Sequence, residues 1–153
     1  MADLKNRRSY TFDAGMQLKD AGLVAASAAA QVASSNQILN VGGQDPFMGV
    51  AVIDVSAIEI DTGNEDYQII IQGSNSSSFA SGIENLATLD LGANSSGRKG
   101  GAQDSVAGRY ELPFINVQRD TAYQYLRAYT FVAGTIATGI NYTAFIGKLP
   151  AGY

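Results

Sequence analysis

The sequence contains no cysteine, no histidine and no tryptophan, and only 3 of its 153 residues are proline. Without cysteine, neither disulfide bonds nor thiolate metal sites can stabilise the fold. The lack of histidine removes the commonest general base and the commonest metal ligand. We therefore expect a protein that is not an enzyme, with no catalytic residues, no metal site and no cofactor.

Charge is also scarce, since charged residues make up 16% of the chain and hydrophobic residues 46%. This balance is typical of a folded domain and not of intrinsic disorder. The net charge of −4 disfavours a general nucleic-acid binder. No apolar run approaches the ~20 residues of a membrane span, and no apolar segment of a secretory signal follows Met1. We expect synthesis in a reducing cytoplasm and no membrane or nucleic-acid partner.

The few charges are unevenly distributed along the chain. No lysine or arginine occurs between Lys19 and Arg98. All charged residues between those two are acidic: Asp20, Asp45, Asp54, Glu59, Asp61, Glu65, Asp66, Glu84 and Asp90. Such asymmetry suits complementary docking to copies of the same chain or to a patterned surface. It is equally compatible with chance in a weakly charged chain.

Apolar residues alternate with polar ones over short stretches, and 17 glycines separate these stretches. Residues 109–114, 125–132 and 140–146 carry the strongest alternation, which is typical of strands with one buried face. Hairpins are predicted at residues 61–64 and 134–139. About eight short strands predict an all-β fold, an antiparallel β-sandwich of jelly-roll or immunoglobulin-like type.

Three segments depart from this pattern. Residues 1–20 mix basic and scattered apolar residues without a period, which is typical of an arm that orders on a partner or of a frayed terminus. We therefore divide the chain into an N-terminal arm, 1–20, and one domain, 21–153. Residues 21–35 are alanine-rich, so helix propensity competes with an extended conformation. Residues 92–108 are predicted to form a long polar loop.

Two motifs suggest chemistry but do not meet its requirements. Residues 61–63 spell the Asp-Thr-Gly triplet of aspartic proteases, whose chemistry needs two carboxylates sharing a proton. Here Asn64, Glu65 and Asp66 follow, which favours a polar turn over a homodimeric protease. Residues 92–99 approach a phosphate-binding loop, but Arg98 separates the second glycine from the required lysine, so we reject it.

Three other features have ordinary explanations. The acidic residues between 54 and 66 could hold Ca²⁺, yet their spacing is not that of an EF-hand and a solvated sheet rim is favoured. The sequons at Asn75, Asn94 and Asn141 have no meaning without a secretory signal. The aromatic residues of the last third suggest a sugar-binding platform, but at strand spacing core packing and cross-strand pairs are favoured.

The closing strands carry a family resemblance. Residues 125–127 (Tyr-Leu-Arg), 132–135 (Val-Ala-Gly-Thr) and 138–144 (Thr-Gly-Ile-Asn-Tyr-Thr-Ala) resemble the Bbp16-like capsid cement, or decoration, proteins of tailed bacteriophages. Residues 12–14 (Phe-Asp-Ala) and the Ala/Ser stretch before residue 38 are similar to the opening segment of that family, where the chain is extended. The likeness favours an extended conformation for residues 21–35. The acidic middle and the 92–108 loop do not match.

The resemblance implies a jelly roll with an extended N-terminal arm that binds the outer surface of the phage head. There it would clamp neighbouring copies of the major capsid protein, as a homodimer or, less favoured, a trimer. The alternative from the residues alone is a carbohydrate- or receptor-binding β-sandwich of a virion or cell-surface protein. We expect the capsid contacts in the arm and the loops, at Lys5, Arg7, Arg8, Tyr10, Phe12, Arg98 and Lys99.

Overall fold

The computed structural model describes residues 10–43, 45–93 and 104–148. These residues contain one short 3₁₀ helix, Ala14–Met16, and otherwise strands and their connections. The strands of the described part are β1 (Gln17–Lys19), β2 (Leu23–Val24), β3 (Ala28–Ala29), β4 (Gln31–Val32), β5 (Ser35–Asn36), β6 (Leu39–Asn40), β7 (Met48–Ile58), β8 (Asp66–Ser74), β9 (Glu84–Gly92), β10 (Gly108–Ile115), β11 (Val117–Gln118), β12 (Thr121–Ala122), β13 (Tyr125–Ala133) and β14 (Ile140–Gly147).

The strands form two five-stranded antiparallel sheets and two small ribbons. In the first sheet the order is β1-β14-β7-β10, and β2 also pairs with β14. In the second sheet the order is β3-β13-β8-β9, and β6 also pairs with β13. The ribbons are β4-β5 and β11-β12. The expectation of an all-β chain with antiparallel pairing is confirmed.

The two sheets enclose one hydrophobic core. The first sheet contributes Ile53 of β7 and Tyr142 of β14, and the second contributes Ile69 of β8 and Leu126 of β13, all fully buried. Alternate residues of each strand point inward because successive side chains of a strand point to opposite faces. Inside the core a hydrogen bond of 2.5 Å joins Thr130 Oγ1 to Tyr142 Oη and so connects the sheets.

Both predicted hairpins are wrong. β7 and β8 belong to different sheets, as do β13 and β14, so residues 61–64 and 134–139 are arches that cross between the sheets. Local pattern does not separate the two cases, because a hairpin and an arch both join alternating strands through a polar, glycine-containing turn. The choice depends on the long-range pairing of β13 with β8 and of β14 with β7.

The alanine-rich segment is extended, which confirms the favoured conformation. Ala29 pairs with Tyr129 across β3 and β13, and the Ala30 amide donates to the Ala128 carbonyl at 2.9 Å. Other parts of the segment pair elsewhere, β2 with β14 and β4 with β5, so its backbone bonds to neighbouring strands and not internally as in a helix. Pairing with a neighbouring strand therefore outweighs the helix propensity of alanine. Among the described residues, the helical structure is too short to cross a bilayer.

Part of the predicted arm belongs to the first sheet. Gln17 and Lys19 of β1 pair with Phe145 and Ala144 of β14, and Leu18 is fully buried in the core. Before it, Asp13 caps the 3₁₀ helix by accepting from the Gly15 amide at 2.8 Å.

Candidate binding faces

Part of the outer face of the first sheet is apolar. Val50 and Val52 of β7 and Phe145 of β14 point away from the core, yet all three are buried because Tyr10 packs on them. Gly147 makes room for this packing, since a Cβ there would lie 2.8 Å from Tyr10 Cδ1. We call residues 10–12 the N-terminal strap.

The strap leaves part of this face open. The Phe12 ring meets the Phe145 ring edge to face, with 5.4 Å between centroids, and remains more than half exposed. Met48 and Ile115 are directly opposite each other in the β7–β10 register, and both side chains are exposed. Phe12 of the strap and the apolar outer residues of this sheet form what we call the apolar face: Phe12, Met48, Val50, Val52, Ile115 and Phe145. Exposed apolar groups beside a buried apolar cluster are typical of an interaction surface.

The outer face of the second sheet is different in chemistry. Leu126, Ala128 and Thr130 of β13 are buried in the core. The alternating residues point outward, which gives what we call the arginine–aromatic face: Tyr125, Arg127, Tyr129 and Phe131, with Gln72 and Asn85 on the neighbouring strands.

Arg127 is held from several sides on this face. Its guanidinium carbon lies 4.4 Å from the centroid of the Phe79 ring and 5.5 Å from that of Tyr129. Its Nε donates to Gln72 Oε1 at 2.9 Å, and Gln72 Nε2 donates to Asn85 Oδ1 at 2.9 Å. Burial lowers the pKa of Arg127, yet an arginine stays protonated in proteins. The result is a fixed, partly desolvated positive charge.

Phe79 reaches Arg127 from a strained position. Its backbone has φ +56°, a left-handed conformation that bulky residues seldom adopt. The loop maintains it through the bond from the Phe79 amide to the Ser76 carbonyl at 3.0 Å and from Ser74 Oγ to the Ser81 carbonyl at 2.8 Å. Backbone outliers of this kind persist where the surroundings fix them, and they cluster at functional sites.

Of the predicted contact residues, the structure places Tyr10 and Phe12 together on the apolar face. Lys5, Arg7, Arg8, Arg98 and Lys99 lie outside the described residues. The sequence interpretation did not single out Arg127 or Phe79, because it placed the contacts in the arm and at Arg98 and Lys99. A signal for Arg127 was present, since it alternates in phase with Tyr125, Tyr129 and Phe131. Phe79 had no signal, because its contact depends on a loop conformation.

The acidic residues of the middle segment do not gather into one site. Asp54 forms a two-pronged ion pair with Arg109 at 2.7 and 2.8 Å. Glu65 accepts from the amides of Thr62 and Gly63, so the Asp-Thr-Gly triplet lies in an arch organised by that carboxylate. In the described part of the chain, no three potential metal ligands lie close together.

Glu59 fastens the two arches to each other. Its carboxylate accepts from the amides of Ala137, Thr138 and Gly139 at 2.7–3.0 Å. These bonds, the Gly139 amide first, lower the pKa of Glu59 to about 2. Asn64 Oδ1 adds a bond from the Thr135 amide at 3.0 Å.

A cleft of about 400 Å³ between residues 19–31 and β13 contains a buried lysine. Lys19 Nζ donates to the carbonyls of Asp20, Gly22 and Tyr142 at 2.9–3.0 Å. Burial lowers the pKa of Lys19. Since an ammonium group has three protons and three carbonyls accept them, Lys19 serves to fix the chain after β1.

No protein-family model matches this chain. No curated protein is significantly similar to it.

Proposed function

We propose that this chain is a capsid cement protein, a structural virion component that binds the outer surface of a phage head. It clamps neighbouring copies of the major capsid protein and so stabilises the shell. One observation carries the proposal: the two sheets share a core, so the apolar face and the arginine–aromatic face point in opposite directions. A clamp needs two such surfaces on one rigid body, and many modest contacts on a shell add up through avidity.

The strand order supports the finer assignment of a jelly-roll sandwich. The chain alternates between the sheets through its arches, and the orders β1-β14-β7-β10 and β3-β13-β8-β9 are those that two interleaved Greek keys produce. The segments that resemble the cement family fall on β13, the 134–139 arch and β14. The part of residues 1–20 that precedes β1 acts in this proposal as the arm, and its residues 10–12 form the strap.

The proposed partners are the major capsid protein and further copies of this chain, with a dimer favoured over a trimer. The protein is made in the host cytoplasm and resides on the outer surface of the virion. Its basic contact candidates, Lys5, Arg7, Arg8, Arg98 and Lys99, suit an acidic region of the shell.

Reconstitution on heads that lack the protein tests the proposal. The wild-type chain is expected to bind heads saturably and to raise the temperature at which they release DNA. Met48→Ser/Ile115→Ser on the apolar face and Arg127→Gln on the other face are each expected to weaken binding at least tenfold. Arg119→Gln, which removes an exposed charge outside both faces, is the matched control. Absence of saturable binding, or binding without any gain in head stability, would sink the proposal.

The arm is tested by substitution instead of deletion of residues 1–20, because that deletion would remove Leu18 from the core. The variant Lys5→Gln/Arg7→Gln/Arg8→Gln is expected to keep the unfolding temperature and to lose occupancy on heads. Full occupancy with this variant would exclude a role for the basic arm.

A second candidate is a carbohydrate- or receptor-binding domain. It is favoured by one observation, the juxtaposition of Tyr129, Phe131 and Arg127 with the Gln72 and Asn85 amides. Aromatic rings and amides are common in sugar sites. A glycan array separates the candidates: reproducible binding to one glycan class, without binding to heads, would favour this one.

A further inference from the structure

We infer that Arg127 is a binding site for a carboxylate, an Asp or Glu side chain on the protein that the second sheet contacts. The identity of this partner rests on the proposed function, because the second sheet is one of the two proposed contacts with the capsid. The carboxylate site itself can be tested on the free chain.

Within the described part of the chain, the positive charge of Arg127 is uncompensated. No carboxylate of the described residues pairs with it, whereas Arg109 is paired with Asp54 across β10 and β7. The residue opposite Arg127 on β8 is Gln72. Its uncharged side chain accepts a hydrogen bond from the Nε atom of Arg127 only. A partly buried charge without a counter-charge is unfavourable, so an incoming carboxylate gains the full ion-pair interaction.

The guanidinium of Arg127 also has the right geometry for a carboxylate. The rings of Phe79 and Tyr129 and the bond to Gln72 fix its plane, while its two Nη atoms have no hydrogen-bond partner among the described residues. A planar fork with free Nη donors matches the two oxygens of a carboxylate. Because the guanidinium is held in place before binding, little side-chain entropy remains to be lost.

The surroundings of Arg127 favour a protein side chain as the source of the carboxylate. Within the described ranges, Arg127 is the only basic residue on the five strands of the second sheet, so a multiply charged phosphate would lack further cations. The outward row from Tyr125 to Phe131 extends over six residue steps of about 3.3 Å, or roughly 20 Å. A row of this length, with Phe131 exposed at one end, exceeds a single sugar and suits a protein segment.

Titration of the free, ¹⁵N-labelled chain tests the site without any capsid. The probe is N-acetyl-glutamate N-methylamide, the control is the glutamine analogue, and both are added at constant ionic strength. We expect a saturable shift of the Arg127 Nε–Hε resonance with the glutamate probe only. Arg127→Gln should abolish the saturable shifts of neighbouring residues, and Arg119→Gln should preserve them. Equal responses to both probes, or no saturable response, would overturn the inference.

Titration with sugar acids tests whether the carboxylate comes from a carbohydrate instead of a protein side chain. Glucuronate and sialic acid are titrated in parallel, and we expect responses no stronger than that of the glutamate probe. A response at least tenfold tighter for one sugar acid would overturn the assignment to a protein side chain.

Binding to heads separates this inference from the proposed function. Arg127→Gln is expected to weaken binding at least tenfold, and Arg127→Lys to give an intermediate loss because lysine keeps the charge without the fork. Circular dichroism shows whether the Arg127→Gln variant is folded. If it is not, the Arg127→Lys variant still provides the test. If the wild type binds heads and both variants bind equally well, this inference fails and the proposed function stands. If the wild type does not bind heads, the proposed function fails and the titration alone decides the carboxylate site.

Discussion

The two outer faces of this protein differ in how far the chain completes them itself. The first sheet exposes apolar residues outward and then covers part of them with its own strap, so that Phe145 is only 7% exposed. The second sheet leaves Phe131 39% exposed and centres on Arg127, for which the described residues supply no counter-charge. The part of the first face under the strap is satisfied within the monomer, whereas the second face lacks a partner group among the described residues.

This difference indicates that the faces serve different purposes. Burial of apolar area is non-directional and contributes stability in proportion to its extent. A fixed guanidinium contributes little to the stability of the monomer but discriminates between partners. We therefore expect substitutions of the residues under the strap to alter folding most, and substitutions on the second face to alter binding more than folding.

The largest expected effect compares two phenylalanines on opposite faces. Phe145→Ala should lower the free energy of unfolding by about 3 kcal/mol, because it removes a buried ring under the strap. Phe131→Ala should lower it by less than about 1 kcal/mol, because that ring is already partly in water. Urea denaturation of both variants measures the difference. Equal losses would remove the distinction between the faces.

A smaller effect is expected from Gly147→Ala. The added methyl group would lie against the Tyr10 ring, so the strap must shift, at a cost of about 1–2 kcal/mol. Faster amide hydrogen exchange and faster proteolysis near residue 10, with β14 still protected, would locate the change in the strap. Unchanged protection of the strap would show that it does not depend on this contact.

On the other face, Arg127→Gln should change the free energy of unfolding by less than about 1 kcal/mol. The lost ring contacts, each worth about 0.5–1 kcal/mol, are offset by removal of a partly desolvated charge. Thermal and urea unfolding, compared with Arg119→Gln, measure this. A large loss of stability would indicate that Arg127 holds the second sheet together, and it would weaken its assignment to binding.

The smallest expected effect concerns the arches, which connect the two sheets. Glu59 has a folded-state pKa of about 2, below its ordinary value, so its contribution is present above pH about 4.5 and is lost as the pH falls toward 2. Glu59→Gln should therefore be less stable than the wild type at pH 7, and the gap should close between pH 4.5 and 2. Parallel stability curves for the two chains would contradict the amide contacts.

The strands were predictable where one face is buried, because alternation records burial directly. Leu126 and Ala128 alternate with Tyr125 and Arg127, and β13 follows that pattern. The partners of the strands were not predictable. The turn residues around Gly134 fit a hairpin as well as an arch, and only the pairing in separate sheets excludes the hairpin.

The candidate site was predictable to a lesser degree. Tyr10 and Phe12 were singled out as contact residues for the arm, but their packing on Phe145 depends on a strand more than 120 residues away in the sequence. The stack of Phe79 on Arg127 joins a loop and a strand that have no common pattern. Contacts of this kind arise from loop conformation, which residue type alone does not determine.

By itself, the sequence determined that the chain is all-β and that disulfide bonds cannot contribute to its stability. These properties follow from composition and from the period of the apolar residues, both of which are local. Tertiary structure alone decided which strands share a sheet, which apolar residues the strap covers, and that no described carboxylate pairs with Arg127. The reason is that each of these depends on the long-range pairing of strands, which places distant side chains on a common face.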